Sequence, residues 1–262
     1  MKAYLTFLIL LCAFFTSGEV FPSDAQSLIG QGDVFWEGRG TKENLNNDRA
    51  LEAYRKAATI DTYNYEAYWK VARSCWWISD QMIPTLSDNK KISGLAQEGM
   101  EHATRAALIE PEAIEGRLYL ALSALHYFYG VGAIVAMKEG KDAVIEEHLD
   151  FCYKHDKAYD NGIIPRSLSS YYRVAPWPIR DVKASLRFVE EAVSISPTCI
   201  RNLVYLAASY DAIGETDKAM DALKKAAELE GDPALEPDSK YWKKYAEKCL
   251  KERRILDPEK LL

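Results

Sequence analysis

Apolar positions recur three or four residues apart through most of the chain, and nowhere is this clearer than in residues 200–233. There Leu203, Leu206, Ala207 and Tyr210 fall on one face of a helix, and Ala219, Met220, Leu223, Ala226 and Ala227 repeat the spacing after a break. Gly214 lies in the break, where a residue that tolerates positive φ ends a helix at little cost. Thr216 follows as the expected cap of the second helix. Small residues (Ala207, Gly214, Ala219, Ala226) occupy the places where two packed helices come closest. The stretch therefore predicts a helical hairpin, a packing unit that carries no chemistry of its own.

A hairpin with one apolar face needs neighbours, so copies are expected upstream. Ser185, Leu186, Val189, Ala192, Val193, Ile195 and Pro197 match the second helix, with Ser185 standing 34 residues before Ala219. Gly99, Met100, Ala103, Ala106, Ala107, Ile109 and Pro111 match it again, as do Ala50, Leu51, Tyr54, Ala57, Ala58 and Ile60. The period of 34 and the small-residue positions are those of the tetratricopeptide repeat. Intervals of 49 and 86 residues separate the upstream copies, which places long insertions between them. The expected fold is all-α: an α-solenoid of about four degenerate tetratricopeptide-like hairpins, closed by a C-terminal capping helix, over residues 24–256.

Composition changes the picture mainly at the N-terminus. Residues 1–18 carry Lys2, an apolar run from Ala3 to Phe15, and Thr16-Ser17-Gly18, the pattern of a signal peptide. A lipid anchor at Cys12 would want a small residue before it, whereas Leu11 stands there, so an exported, periplasmic product is expected. The net charge of −6 and the lack of a basic run argue against nucleic acid as a partner. Cys75, Cys152, Cys199 and Cys249 are widely spaced; three pairings are open to them, and four small apolar residues on helix faces is the simpler reading.

Ser23-Asp24-Ala25-Gln26 has capping-box spacing and predicts a helix from about Asp24 through Trp36, followed by a polar loop over Thr41–Asp48. The next helix, Tyr63–Trp77, distributes six large rings over several faces. Most of them are expected in packing, and Trp69 and Trp76 are candidates for lining a ligand groove. Asp80–Ser93, with Pro84 and Asp88, reads as an insertion.

Leu118–Met137 holds twenty residues without a formal charge, enough to qualify as a membrane span by length. His126, Ser123, three tyrosines and the Gly130/Gly132 break favour instead a buried helix to Tyr129 and a short second one. Such a helix wants cover on every side: another helix, a partner subunit such as a second copy of the chain, or an apolar ligand cavity. Lys141–Tyr159 follows as an amphipathic helix. On it His148, Cys152 and His155 stand at i, i+4 and i+7, zinc-ligand types that compete with a plain apolar stripe. The basic residues of the last helix, 237–256, read as a solvated face.

The segment from Asn161 to Asp181 reads Asn-Gly-Ile-Ile-Pro-Arg-Ser-Leu-Ser-Ser-Tyr-Tyr-Arg-Val-Ala-Pro-Trp-Pro-Ile-Arg-Asp, and on these residues it resembles the TRAP transporter T-component (TatT) family of tripartite ATP-independent periplasmic uptake systems. Gly162, Arg166, Leu168 and Tyr172 occupy its G-x-x-x-R-x-L-x-x-x-Y positions, and Pro176 and Pro178 stand for the prolines of its A-P-x-x-P, here one residue closer together in Ala175-Pro176-Trp177-Pro178. Gly32, Asp33 and Trp36 match an early G-D-x-x-W, and Asn202 matches a later asparagine. The resemblance covers about residues 24–230. It implies a periplasmic accessory component that docks a TRAP substrate-binding protein. Arg166 has two readings: a structural arginine satisfied by carbonyls or an acid, or a cavity-facing donor to a substrate carboxylate.

The candidate ligand- or partner-binding residues are Arg166, Tyr172, Trp177 and Asn202 from the motif, with Trp69, Trp76 and His126 from the helices before it. No nucleophile elbow, zinc-protease helix or phosphate loop is present in the sequence, so neither an enzyme nor a cofactor is expected. A generic exported repeat scaffold for peptides or envelope proteins is the alternative to the uptake role.

Overall fold

The computed structural model describes residues 24–40, 45–83, 88–231 and 237–255. The signal-peptide stretch, Cys12, residues 41–44 of the first loop and residues 84–87 of the insertion lie outside the described residues.

Among the described residues there are twelve helices and no strand. The chain first folds as α1 (Ala25–Glu37), α2 (Leu45–Ile60), α3 (Tyr65–Asp80) and α4 (Asn89–Ile109). Next come α5 (Ile114–Val131), the short α6 (Ala133–Lys138), α7 (Lys141–Asp156) and α8 (Tyr159–Val174). It ends with α9 (Val182–Ile195), α10 (Ile200–Ala212), α11 (Thr216–Glu228) and α12 (Ser239–Glu252). Neighbours pair as α1/α2, α3/α4, α5/α7, α8/α9 and α10/α11, and α12 covers the last pair. The four second helices read from the sequence are α2, α4, α9 and α11. The 86-residue interval holds one further hairpin, whose second helix, α7, departs too far from the small-residue pattern to be matched.

The hairpins close where side chains are small. Ala207, Ala219 and Ala226 are fully buried between α10 and α11. A Cβ on Gly116 would stand 2.8 Å from the Ala107 backbone nitrogen, so α5 crosses α4 at a distance only glycine permits. Gly214 takes φ +83° and turns the chain from α10 into α11. Thr216 does not cap α11; it is the first helical residue, and the helix starts with no side-chain cap. Asp24 and Asp181 do cap, accepting from Ser27 N at 2.8 Å and Ala184 N at 2.9 Å.

The uncharged stretch forms α5 and α6, with Leu118 through Tyr129 buried and the break at Gly132. It is enclosed by α3, α4, α7 and α8, and no helix among the described residues is long and apolar enough to cross a membrane. Its cover is thus protein. One apolar core runs through α1–α8 and a second joins α9–α12. Cys75, Cys152 and Cys249 are buried as thiols in these cores and Cys199 is buried outside them, and no disulfide forms among the described residues.

Candidate functional site

The helix bearing the motif is built around a break. Asp160, Asn161 and Gly162 have φ of 43°, 57° and 76°, three consecutive left-handed residues at the start of α8. Asp and Asn tolerate this conformation better than other side chains, and at the third position glycine avoids the cost. A Cβ on Gly162 would also come within 3.2 Å of the Ala192 Cα. Regular helix resumes at Ile163, so Pro165 sits in a first turn, where its missing N–H is no loss.

One residue later Arg166 is buried, 7% exposed. Its Nη1 donates to Asn202 Oδ1 on α10 at 2.7 Å. Asn202 is itself fully buried, and its Nδ2 donates to Asn161 O and Ala192 O, both at 3.0 Å. The asparagine ties the break in α8 to the end of α9 and holds the guanidinium. No carboxylate among the described residues pairs with Arg166. Arg166 combines features of both readings: it is bonded inside the protein, to an amide rather than an acid, and it lines a cavity.

The cavity beside Arg166 measures about 630 Å³ and lies between α1, α3, α5, α8 and the α9–α10 turn. Trp36, Trp76, Trp77 and Tyr119 supply its apolar wall, and Arg39, Arg73, Arg166 and Arg201 its cations. Trp36 is held between two guanidinium groups: Arg73 Cζ is 3.9 Å from the ring centroid and Arg39 Cζ 4.4 Å. Arg39 also lies over Trp77, and Arg73 over Trp69. Burial, and secondarily the neighbouring Arg73 charge, push Arg39 below the usual guanidinium value. The Nε atoms of both Arg39 and Arg73 are buried with no hydrogen-bond acceptor among the described residues.

Arg201 differs. It donates to Asp80 Oδ1 at 2.6 Å and lies 3.7 Å from Asp238 Oδ2, so its charge is compensated within the protein. His126 belongs to the same buried group, 2.7 Å from Ser79 Oγ and 3.6 Å from Asp80 Oδ1. It borders a separate space of about 30 Å³, room for roughly one water. This network links α3, α5, α10 and the residue preceding α12.

The structure thus brings Arg166, Asn202 and Trp76 together, with His126 adjacent across the smaller space. Trp69 stands one step back, stacked on Tyr119 with centroids 6.1 Å apart. Tyr172 faces elsewhere, stacked on Phe188 at 5.8 Å, and Trp177 is 87% exposed on the loop after α8. The zinc grouping does not form. Cys152 is buried and donates to Ile114 O, His148 meets Arg117, and exposed His155 stacks on Phe151; helical spacing aligned the three, but separate packing partners take each one. No cluster of three metal-ligand types occurs among the described residues.

Sequence reasoning missed Arg39 and Arg73, counted Trp77 among the helix rings without singling it out for the groove, and quoted Trp36 without giving it a role. A cue was present: Trp69, Arg73 and Trp76 stand at i, i+4 and i+7, an arginine within an aromatic helix face.

Fold and cavity together define a tetratricopeptide solenoid with an interior lined by arginine and tryptophan. No family model matches the chain, and no curated protein matches it. Among solved structures it is similar to TTC0263, a thermophilic tetratricopeptide protein of Thermus thermophilus, with a TM-score of 0.60 and 15% identity over 83% of this chain and 98% of that one. The crystal structure of MamA protein superposes with a TM-score of 0.49 and 16% identity, over 83% of this chain and 94% of that one. At such identities the likeness shows the fold alone.

Proposed function

We propose that this chain is the accessory, T-type component of an exported TRAP uptake system. It acts by binding: it docks the substrate-binding protein and shelters a carboxylate-bearing organic solute in the cavity between α1, α3, α5 and α8. One observation carries the reading. Trp36 and Arg166 come from two motif segments 130 positions apart in the chain, and both line the same cavity. The later motif asparagine, Asn202, orients the arginine between them and α10. A guanidinium held at its edge by an amide, without an acid partner, offers its remaining donors to a carboxylate.

Two measurements test this. Crosslinking in cell envelopes followed by capture of the chain is expected to recover a substrate-binding protein of the TRAP class, and its absence in repeated trials overturns the docking role. Native mass spectrometry of protein purified from the envelope is expected to show an acidic solute. An Arg166→Gln variant that carries the same solute in equal amount overturns the site.

The fold also supports a second reading, an exported scaffold for peptides or envelope proteins. Exposed Trp177 (87%) and Tyr63 (77%) favour it, since large rings on a surface are suited to protein contacts. Loss of captured proteins on Trp177→Ala with unchanged solute content would select it.

A further inference from the structure

The cavity has a cationic wall that the motif does not account for. Arg39 comes from the end of α1 and Arg73 from the middle of α3, and both stack on Trp36. Neither pairs with a carboxylate among the described residues. Arg39 Nη1 donates to the Trp36 carbonyl at 3.1 Å, and Arg73 Nη2 makes a long contact of 3.4 Å to the Tyr54 hydroxyl. Each Nε is buried and unmatched. Two like charges gathered on one indole repel each other, and unmatched buried donors cost free energy. A ligand that brings an anion relieves both terms at once.

The acids that line the cavity do not cancel this excess. Asp238 lies 3.7 Å from Arg201, which Asp80 also neutralises from behind the cavity wall, and Glu230 pairs with Lys243 at 2.9 Å. Among the described residues that line the cavity this leaves Asp160, whose side chain is exposed to solvent and acts on Arg39 through space without an ion pair. Among the described residues, three arginines therefore face one carboxylate at the rim. They form two groups: Arg166, fixed by Asn202, and the Arg39–Arg73 pair, fixed by Trp36. The wall that accompanies them is made of flat rings, Trp76, Trp77 and Tyr119. The volume of about 630 Å³ lies within the range of small-molecule sites, about 300–1,000 Å³.

We infer that the cavity is a two-point site for a planar organic dianion, a dicarboxylate with an aromatic or conjugated body, in which Arg166 takes one carboxylate and the Arg39–Arg73 pair the other. This deepens the carboxylate reading above and rests on it. Flat rings stack against the body, and the two guanidinium groups on Trp36 present planar donor edges that a carboxylate matches better than a lysine would.

The test is isothermal titration of the full chain with 2-naphthoate and with 2,6-naphthalenedicarboxylate, which share a body and differ by one charge. The dicarboxylate is expected to bind at least tenfold more tightly than the monocarboxylate. Arg39→Gln and Arg73→Gln are each expected to bring the dicarboxylate to within about threefold of 2-naphthoate, while leaving 2-naphthoate nearly unchanged. Arg39→Lys and Arg73→Lys keep the charge and serve as folding controls, expected to retain part of the advantage. Equal affinities for the two probes in the parent chain, or glutamine variants that weaken both probes alike, overturn the two-point site. Failure of 2-naphthoate to bind the parent chain, or indifference of its affinity to Arg166→Gln, overturns the underlying carboxylate reading instead.

Discussion

Arg166 on α8 and Asn202 on α10 are joined by a 2.7 Å hydrogen bond in which the asparagine is fully buried and its amide also serves the carbonyls of Asn161 and Ala192. Thirty-six positions of sequence separate the two residues, yet one side chain sets the other's direction. Asn202→Ala removes an acceptor from a buried guanidinium and a donor from two buried carbonyls. A loss of about 1–3 kcal/mol in urea-unfolding stability is expected, with weakened binding of a monocarboxylate probe. Asn202→Asp is expected to be worse for binding: its charge neutralises Arg166 and its oxygens face the carbonyls that the amide now satisfies. A variant as stable and as competent as the parent would show that the pair does no positioning.

The left-handed break that starts α8 makes a second prediction. Gly162→Ala places a Cβ where φ is +76° and the Ala192 backbone stands 3.2 Å away. A destabilisation of about 1–3 kcal/mol is expected. Gly30→Ala provides the comparison: Gly30 lies inside α1 and an added Cβ there meets nothing within 4 Å. That substitution is expected to be neutral or to stabilise by up to about 1 kcal/mol, because alanine has less backbone freedom to lose. Thermal melts of the two variants beside the parent settle the order.

Much of the fold was legible because it rests on local rules. Spacing alone located α2, α4, α9 and α11, and the positive φ at Gly214 followed from residue type. Thr216 was misread as a cap because composition near a helix start does not say which residue is the first helical one. The hairpin of α5 and α7 escaped because α7 is gripped through Ile145, Leu149 and Cys152 rather than small residues at the crossing. In the candidate site, Arg166, Asn202 and Trp76 were within reach of motif and composition. Arg39 and Arg73 were not, because only the folded chain reveals that no acid among the described residues pairs with them. The metal candidates failed for the opposite reason: helical spacing aligns Cα positions, whereas neighbouring helices decide where each side chain goes.

The buried ion pair that ties the two apolar cores together predicts acid sensitivity. Burial alone would raise the Asp80 pKa, but the Arg201 charge and the His126 hydrogen bond outweigh it and hold the carboxyl well below its usual range. A carboxyl whose pKa is depressed on folding stabilises the native state above its unfolded value, about 3.9, and that contribution fades as pH falls below it. Urea midpoints are therefore expected to hold from pH 6 to about pH 5 and to fall progressively as the pH drops below about 4. Asp80→Asn removes the charge partner of a buried arginine and is expected to cost about 3–5 kcal/mol at pH 7. Its stability should then depend less on pH over the same interval; an equally steep fall would assign the acid sensitivity to other groups.

The four buried thiols give a prediction that reports on the cavity directly. Desolvation pushes Cys75 well above the ordinary thiol value and raises Cys152 to about 12, so both remain protonated and poorly nucleophilic at neutral pH. Cys199 is different in position: it is buried, 8% exposed, but it lines the cavity beside Arg166. Reaction of the native chain with a small alkylating agent, followed by peptide mass mapping, is expected to modify Cys199 ahead of Cys75 and Cys152. The latter two should react at a rate set by unfolding, rising steeply in urea. A carboxylate probe seated in the cavity is expected to slow modification of Cys199 several-fold and to leave the other two sites unchanged. If the probe binds but Cys199 reacts as before, the carboxylate lies somewhere other than against Arg166.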